Sequence, residues 1–564
     1  MKWMRKGYIT ASVLALGGTL LLGGCAKGDP PPGESGTANQ NAPAGANTLP
    51  GGGQAKKDGK FDPPVTITTG AWIGGDTKFV NGDSIENTPI IRWARDNMGI
   101  DLKYAWIVAK QGETLENKIK LSLSSGERLP DILNFGDKVL LKDLVEAGKI
   151  QPVDDMFDKY ASDRLKKLYA DNADVWNSVT IDGKRYGIPF IWTHQFDNIL
   201  WIRTDWLKKV GMEAPKTIDD LEKVMDAFVT QDPDGNGKKD TIGLAVAGKD
   251  SLMDWMASTD WVFGAYGNDI PGIWSKAADG SLQYASIQPS VKQGLAKLHD
   301  WYEKGYLAQD LSLNDAYKAA EWWQKGKAGL IAGPAWMGGW PLQDVTVNVK
   351  GATYEPIPLP AGPGGQTARR STAGANGFMV FGKEFNQYEA FFDYFDVIYG
   401  PAFLDPDSPF KYGYQEDYDY KLQDGKLLPK DQLPGKNAPI PIVGGVSPGQ
   451  YSNEDLVQKA LSGDVSTPYL QSRAQDPKPV LQGLVINDGL IGKSMPNHFT
   501  GASTKTMSSK AELLDKSEKE TFIKIVYGKT PIDDFDRFVQ EWKAGGGDEI
   551  TKEVNDWWTS VGGQ

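Results

Sequence analysis

Oxygen-bearing side chains alternate along the loop 232–241, at Asp232, Asp234, Asn236 and Asp240. Lys238 stands where an EF-hand loop offers a main-chain carbonyl, and Gly237 permits the tight turn. Ca²⁺ takes six to eight oxygen ligands, which this layout can supply. Position twelve of the pattern is Gly243 instead of a bidentate Glu, so an Asx-rich turn without metal is the alternative. The sequence favours a structural calcium site at a helix end.

Tryptophan is the second chemical signal, with 19 in the chain. Six of them follow predicted strands or stand beside Gly and Pro in predicted loops: Trp72, Trp192, Trp255, Trp261, Trp336 and Trp340. A flat indole can cover the C–H face of a pyranose ring while nearby polar groups bind the hydroxyls. Burial in a core is the alternative for each of these six tryptophans, and the sequence alone leaves it open.

Polar side chains near the same predicted loops are further candidates for ligand binding: Asn134, Asp137, His194, Gln195, Asp197 and Arg370. An arginine fork would suit a sugar that carries a carboxylate. For the pair Arg369 and Arg370, however, a solvated loop is the simpler interpretation, because charged pairs usually face water.

Signals for catalysis are poor. The three histidines, His194, His299 and His498, lack the spacing of metal ligands, and neither Gly-x-Ser-x-Gly nor a phosphate-binding loop occurs. Pairs of acidic residues are abundant among 73 Asp and Glu, so counting them does not exclude a glycosidase. We expect a protein that is not an enzyme.

Cys25 is the only cysteine, and it follows a basic start and the apolar run Tyr8–Leu22. The order Leu-Gly-Gly-Cys is similar to a bacterial lipobox, in which the thiol receives lipid, palmitate included, and the chain is cut before it. We therefore predict a signal peptide over 1–24, lipidation of Cys25 and attachment to the extracellular face of the cell membrane. An ordinary signal peptide or a short transmembrane anchor is the alternative.

The composition of the chain limits the classes of protein to which it can belong. Residues 26–60 are rich in Gly, Pro, Asn, Ala and Ser, which predicts a flexible tether after Cys25. The net charge of −12 becomes about −15 when the three cations of the leader are removed, so nucleic acid is an improbable partner. Hydrophobic residues make up 40% of the chain, as in a globular protein.

Strand and helix patterns alternate from Phe61 onward. Val65–Thr69 is rich in β-branched residues, Asp101–Ile107 alternates apolar and polar residues, and Leu115–Leu123 is amphipathic. Thr217 precedes a helical pattern and can cap it. Short links between such elements predict βαβ units and an α/β fold with mostly parallel sheets.

Several segments together resemble a known family. These are Pro130-Asp131-Ile132, Asn198 to Leu207 with the following helix from Thr217, and the C-terminal runs Thr521–Gly528, Asp533–Asp536 and Glu553–Trp558. The chain resembles bacterial extracellular solute-binding proteins of family 1, the substrate-capturing subunits of ABC importers, and in particular their long carbohydrate-type lipoproteins. The resemblance covers nearly the whole mature chain, and is weakest over residues 400–500, which look like long loops.

The resemblance implies a two-lobe, periplasmic-binding-protein-like fold of type II, with crossing segments as a hinge and the ligand cleft between the lobes. It places the crossings near Phe196–Ile199 and Tyr354–Pro360. The first lobe would hold 61–196 and 361–400, and the second 199–355 and 401–564. The subgroup's calcium loop has an acidic residue after its last Asp; Thr241 stands there in this chain and would complete the ligand set.

On this basis we expect a lipid-anchored, monomeric protein that captures a carbohydrate, with an oligosaccharide favoured, and delivers it to ABC permease subunits. A secreted polysaccharide-degrading enzyme, a binding protein for a non-sugar solute and an adhesin or sensor remain as alternatives. Trp-lined clefts occur in sugar binders and in glycan-degrading enzymes, so the sequence does not separate these two classes.

Overall fold

Two β-sheets organise the part of the chain that the computed structural model describes, residues 55–108, 114–399, 404–442 and 454–563. The predicted leader, Cys25 and most of the predicted tether lie outside these residues. The first sheet has the strand order Ile100–Val108, Val65–Trp72, Ile132–Phe135, Gly374–Phe381, Ile188–Trp192. The second sheet has the order Ile242–Ala245, Ala328–Gly333, Ile199–Arg203, Tyr354–Ile357.

Both sheets are mixed. In the first, the strand Val65–Trp72 runs parallel to both neighbours, whereas Gly374–Phe381 is antiparallel to its own two neighbours. In the second, Ile242–Ala245 and Ala328–Gly333 are parallel, and Ile199–Arg203 is antiparallel to the strands beside it. Parallel pairs are therefore present in both sheets, but the prediction of mostly parallel sheets is wrong, because four of the seven pairings are antiparallel.

Helices cover both sheets, and the predicted cap at Thr217 is confirmed. The Thr217 hydroxyl accepts a hydrogen bond from the amide of Asp220, and Thr114 does the same for Asn117. Among the described residues, no helix combines the length and the apolar character needed to cross a bilayer. The α-helices are Pro89–Trp93, Leu115–Ser125, Lys138–Glu146, Asp154–Tyr160, Asp163–Ala170, Thr204–Val210, Ile218–Thr230, Asp260–Gly264, Pro289–Glu303, Ala316–Gln324, Asp344–Asn348, Tyr388–Ile398, Glu454–Leu461, Pro468–Arg473, Lys478–Gly489, Met507–Val526, Asp534–Trp542 and Asp548–Ser560.

Each sheet has its own hydrophobic core. Side chains between Phe61 and Ile191 and between Phe378 and Ile442 surround the first sheet. Side chains between Ile199 and Ala368 and between Val457 and Trp558 surround the second. Two separate cores make two lobes, and the predicted two-lobe α/β fold is confirmed.

The lobe boundaries differ from the prediction at two places. Ala361 and Ala368 belong to the second lobe, because the Ile218 amide donates to the Ala361 carbonyl over 2.9 Å and Ala368 is buried in the second core. Phe410 and Ile442 belong to the first lobe, in whose core both are buried. Chain order alone could not show that the segment after 400 returns to the first lobe before the C-terminal helices join the second.

The segment 400–500 also differs from the predicted long loops. It contains three helices, Glu454–Leu461, Pro468–Arg473 and Lys478–Gly489. Leu470, Leu481 and Leu484 are buried in the second core, so these helices are part of the second lobe. Some Pro residues of this segment lie in the first turn of a helix, where the missing N–H does not remove a hydrogen bond within the helix.

A buried carboxyl group lies where the C-terminal helices meet the second lobe. Glu518, on the helix Met507–Val526, accepts hydrogen bonds from the Tyr284 hydroxyl and the Ser286 hydroxyl, each over 2.9 Å. Burial raises the pKa of Glu518 from its ordinary value of 4.5 to about 7, although both hydrogen bonds oppose the change. The folded state therefore favours a protonated Glu518.

This shift predicts a pH dependence of stability. A raised pKa means that the folded state binds the proton more tightly, so stability falls as the pH rises from about 4.5 to about 7. The Glu518→Gln variant cannot ionise, and we expect it to gain about 3 kcal/mol relative to wild type between pH 4.5 and pH 8. Urea unfolding at several pH values measures this gain. The control is Glu512→Gln, at an exposed position on the same helix; parallel pH profiles for wild type and Glu518→Gln would contradict the assignment.

Candidate functional site

Within the described residues, two short continuous segments can be followed from one lobe to the other. The first, residues 193–198, connects the strand Ile188–Trp192 of the first sheet to Ile199–Arg203 of the second. The second, residues 371–373, connects the short strand Arg369–Arg370 to Gly374–Phe381. The first crossing lies where the sequence predicts it. The second lies after Arg370 and not at Tyr354–Pro360, which forms a strand of the second sheet and the turn after it.

The two crossings are joined by the buried carboxylate of Asp197. Its Oδ1 accepts hydrogen bonds from the Thr372 amide (2.5 Å) and the Thr372 hydroxyl (2.7 Å). Its Oδ2 accepts from the Ser494 hydroxyl (2.5 Å) and lies 2.9 Å from Nδ1 of His194. One side chain thus contacts both crossings and the C-terminal part of the chain.

Arg369 provides the opposite charge. Its guanidinium lies 3.6 Å from Asp197 and donates to the Ser494 hydroxyl and to the carbonyls of Asn198 and Asn487, over 3.0 to 3.1 Å. Asp197 and Arg369 are both fully buried. The interpretation of Arg369 as a residue of a solvated loop is therefore wrong. Burial lowers the pKa of Arg369, and the Asp197 carboxylate opposes that effect.

A cleft of about 1070 Å³ opens beside the crossings. Residues of the first lobe, of both crossings and of the second lobe contribute to its wall, as do residues after the C-terminal helix Lys478–Gly489. Those that present polar or aromatic side chains are Lys138, Trp192, Phe196, Asn198, Asp250, Ser251, Asp254, Trp255, Ser258, Asp315, Tyr317, Trp336, Arg370, Ser371, Thr372, Asn376, Asn497, Phe499, Thr500 and Lys519.

Aromatic rings form two parts of this wall. Trp192 and Phe196 stack with ring centroids 4.5 Å apart and an angle of 21° between planes. On the second lobe, Trp255 stacks on Trp336 at 5.8 Å and 22°. The turn that carries Trp336 packs closely on the helix Lys478–Gly489, since a Cβ at Gly338 would lie 3.0 Å from the Val480 nitrogen. The ring of Trp336 is therefore held by the fold.

Polar atoms without partners also line the cleft. Oδ1 of Asn198, Nε1 of Trp336 and Oγ1 of Thr500 are buried and form no hydrogen bond within the described residues. Lys138 and Arg370 form no ion pair in the part of the chain that the structure describes, and burial lowers the pKa of Lys138. Such groups can bind hydroxyls or carboxylates of a ligand, because unpaired buried polar atoms are costly.

The structure places four predicted ligand-binding residues in the cleft: Trp192, Trp255, Trp336 and Arg370. Trp340 lies next to them and stacks on Trp336 at 6.2 Å and 13°. Trp261 does not belong to the site: it is fully buried, and its Nε1 donates to the Ser258 carbonyl over 3.1 Å. Contact of these residues with a ligand stays a prediction.

The other predicted residues have structural partners or lie outside the cleft wall. Asp137 caps the helix Lys138–Glu146 by accepting from the amides of Val139 and Leu140, and its second oxygen binds Lys120. Asn134 donates to the Ile442 carbonyl. His194 packs against Asp197, Gln195 is half-buried in the first crossing, and Trp72 is 58% exposed at a strand end. None of these residues belongs to the described cleft lining.

Most polar residues of the cleft wall carry no recognisable signal in the sequence. Lys138, Asp254 and Thr500 come from three distant parts of the chain, and no motif connects them. Asn198 lies in a segment that resembles the family, but its residue type and spacing alone do not mark it as a ligand-binding residue. A signal existed only for Phe499 and Asn497, whose loop joins Pro, Asn and an aromatic residue in the manner of the tryptophan loops.

The acidic loop forms a compact turn. Asp232 accepts hydrogen bonds from the amides of Asn236 and Gly237, and Asn236 donates through its side chain to Asp234 (2.8 Å) and Asp240 (3.0 Å). The hydrogen bond from the Gly237 amide is the largest cause that lowers the pKa of Asp232, followed by a side-chain hydrogen bond with Asp234 and by the Asn236 amide. The amide of Lys238 donates to Oδ1 of Asn236 over 2.7 Å.

The structure of this loop differs from the predicted calcium site in two features. The ammonium of Lys327 lies 2.8 Å from carboxylate oxygens of both Asp234 and Asp240. The hydroxyl of Thr241 turns away and donates to the Phe228 carbonyl over 2.8 Å, so Thr241 is not a ligand. Within the described residues no group of three His, Cys, Asp or Glu is arranged as a metal site. The oxygen donors nevertheless fit a cation, because an ammonium already binds two of them.

Known proteins show a consistent pattern. The model of the family described as bacterial extracellular solute-binding protein matches residues 81–402, more than half of the chain. FusA of Streptococcus pneumoniae serotype 4, named as a fructooligosaccharide ABC transporter substrate-binding protein, is 30% identical over 299 residues, which cover 50% of this chain and 53% of FusA. The chain thus spans about half the length of FusA.

Two relatives from Bacillus subtilis strain 168 are matched over more of their length. Lipoprotein LipO is 24% identical over 83% of this chain and 88% of LipO. The polygalacturonan/rhamnogalacturonan-binding protein YtcQ is 25% identical over 78% of this chain and 82% of YtcQ. A solved structure of a FusA EF-hand mutant in complex with fructo-nystose gives a TM-score of 0.60 at 21% identity, covering 88% of this chain and 99% of that one. At this identity the likeness shows the fold alone.

Removal of the Asp197 carboxylate tests the role of the crossing network. Asp197→Ala leaves the Arg369 charge buried without its partner, and we expect a loss of about 3–5 kcal/mol in the free energy of unfolding. Urea denaturation measures this loss. Asp171→Ala is the matched control, since it removes a carboxylate paired with Lys167 on the exposed surface, where the effect stays below about 1 kcal/mol. Equal, small losses in both variants would show that the network does not stabilise the fold.

Proposed function

The chain belongs to the bacterial extracellular solute-binding proteins, and from that premise we propose that it captures an oligosaccharide in the cleft between its lobes for uptake by an ABC importer. The observation that carries the proposal is the cleft wall, in which stacked aromatic rings stand beside unpartnered polar atoms. Indoles cover the apolar faces of sugar rings, and the polar atoms bind hydroxyls.

The names of relatives support a sugar as ligand. FusA is named for fructooligosaccharides and YtcQ for polygalacturonan and rhamnogalacturonan. A family of binding proteins also supports a protein without catalytic activity. The proposal therefore includes no chemical change of the ligand.

The mechanism is a change in the relative position of the lobes. Trp192 and Trp336 lie in different lobes, so a ligand that touches both binds better when the lobes are close together. Such a ligand shifts the population toward the closed form by its difference in affinity for the two forms. The network of Asp197 and Arg369 ties the two crossing segments to each other through Thr372, so the lobes would rotate about this joined point.

The proposal includes a lipid anchor. Cys25 would carry the lipid, and residues 26–54 would separate the folded lobes from the extracellular face of the membrane. The end of the predicted tether belongs to the fold instead, because Lys56–Lys57 pairs with Lys60–Phe61. The similarity to lipoprotein LipO supports this arrangement. The partners would be ABC permease subunits and the membrane itself, with a single copy of the chain per importer.

The ligand class is tested by calorimetry with fructooligosaccharides, oligogalacturonates and maltooligosaccharides. We expect one series to bind, and Trp192→Ala to weaken binding of every member about three- to tenfold, because a stacked ring contributes about 0.5–1.5 kcal/mol. Leu513→Ala, at an exposed position outside the cleft lining, serves as the control. Failure of all three series to bind would contradict the proposed function, and new reducing ends in the mixture would indicate an enzyme.

We also propose that the acidic loop binds calcium, with Lys327 as a competing cation. Asp232, Asp234, Asn236, Asp240 and the Lys238 carbonyl would hold the ion, which would cross-link the end of the helix Ile218–Thr230 to the start of the next strand. The loss of the sixth ligand, since Thr241 turns away, predicts weak binding. The FusA EF-hand mutant shows that an EF-hand has been studied in one relative.

A thermal-shift measurement tests the loop. Calcium binds only the folded loop, so EDTA should lower the melting temperature of wild type slightly. Lys327→Met removes the competing ammonium, and we expect a larger difference between calcium and EDTA than in wild type. Lys325→Met is the control, since its ammonium pairs with Glu321 instead. Identical melting curves with EDTA and calcium for wild type and Lys327→Met would contradict the metal proposal.

A further inference from the structure

The aromatic wall of the second lobe continues beyond the cleft. Four rings take part, and we call them the aromatic rim: Trp255, Tyr317, Trp336 and Trp340. Trp255, Tyr317 and Trp336 belong to the cleft lining, whereas Trp340 lies outside it. The rim therefore connects the interior of the cleft with the outer surface of the lobe.

The three indoles of the rim are nearly parallel. The planes of Trp255 and Trp336 differ by 22°, and those of Trp336 and Trp340 by 13°, with centroids 5.8 and 6.2 Å apart. The ring of Tyr317 closes the cluster at the side, 5.4 Å from Trp255 and 6.3 Å from Trp340. Each ring is thus held by two neighbours, which fixes the direction of the exposed surfaces.

Much of this aromatic surface faces water. The exposed fraction is 48% for Trp340, 60% for Tyr317 and 44% for Trp255. The fold can bury indoles fully, as it does at Trp201 and Trp301. A contiguous exposed apolar patch on a protein marks a surface that binds something.

We propose that Trp340 and Tyr317 form an outer subsite for sugar units that project from the mouth of the cleft. This inference rests on the proposed function and names the ligand more closely: a chain long enough to fill the cleft and to reach Trp340. The subsite lies on the second lobe alone, so it adds affinity for long chains independently of contacts with Trp192 on the first lobe.

Continuity with the cleft favours a glycan over a protein partner. Trp336 contacts both Trp255 inside the cleft and Trp340 outside it, so a linear chain can pass from one ring surface to the next. The rim is also flanked by polar groups suited to hydroxyls, among them Asp315 in the cleft lining. Docking of a permease on the rim is the competing possibility, and the experiment separates it from sugar binding.

The test measures dissociation constants by calorimetry for short and long members of whichever series binds: fructooligosaccharides, oligogalacturonates or maltooligosaccharides. We expect wild type to bind long chains more tightly than short ones. Trp340→Ala and Tyr317→Ala should each weaken binding of long chains about three- to tenfold and change binding of the shortest ligand less than about twofold. Val347→Ala, 81% exposed outside the cleft lining, is the control.

Each outcome has one meaning. Tighter binding of long chains that disappears in Trp340→Ala supports the outer subsite. Affinity that does not depend on chain length, or a Trp340→Ala variant that binds all lengths as wild type does, overturns it while leaving the proposed function intact. Loss of transport in that variant with unchanged sugar affinity would assign the rim to the permease and also overturn the subsite. If no sugar series binds, both the outer subsite and the proposed function are contradicted. The Trp192→Ala variant tests the cleft alone, because Trp192 is not part of the aromatic rim.

Discussion

The burial of two opposite charges, Asp197 and Arg369, constrains the whole arrangement of the lobes. A carboxylate and a guanidinium removed from water need several hydrogen bonds, since one ion pair alone does not compensate for the lost solvation. Here the partners are main-chain and side-chain groups of four separate segments, around Asn198, Thr372, Asn487 and Ser494. Satisfying these charges therefore forces both crossings and the C-terminal helices to meet at one point.

The location of the cleft follows from this meeting point. Trp192 and Phe196 stand just before Asp197, and Arg370 to Ala375 follow Arg369, so the segments that bring the charges together also form part of the cleft wall. The second lobe adds its wall through Trp255, which stacks on Trp336. An irregular backbone at such a point is tolerated because its polar groups find partners within the network. The same residues thus join the lobes mechanically and position the rings.

The sequence predicted what depends on local pattern and failed where burial decides. The strands at Val65–Thr69 and Asp101–Ile107, the Thr217 cap and the first crossing follow from periodicity, capping chemistry or resemblance, and the structure has them. Trp261 and Trp336 look alike in sequence, yet one is fully buried and the other lines the cleft. Arg369 and Arg370 are adjacent, and strand alternation turns the first inward and the second outward. The return of Phe410 and Ile442 to the first core is a long-range contact that no local pattern encodes.

The acidic loop and the aromatic rim lie at opposite ends of the same two parallel strands. Asp240 and Lys327 precede Ile242–Ala245 and Ala328–Gly333, while Trp255 and Trp336 come after those strands. Strands of four to six residues separate the two ends by about 13–20 Å. Any cation at the loop, whether the Lys327 ammonium or calcium, therefore acts on the stability of the second sheet and not on the ligand directly. The strand Ala328–Gly333, buried along its whole length, is the element that connects the loop at one edge of the sheet with the turn that carries Trp336 at the other edge.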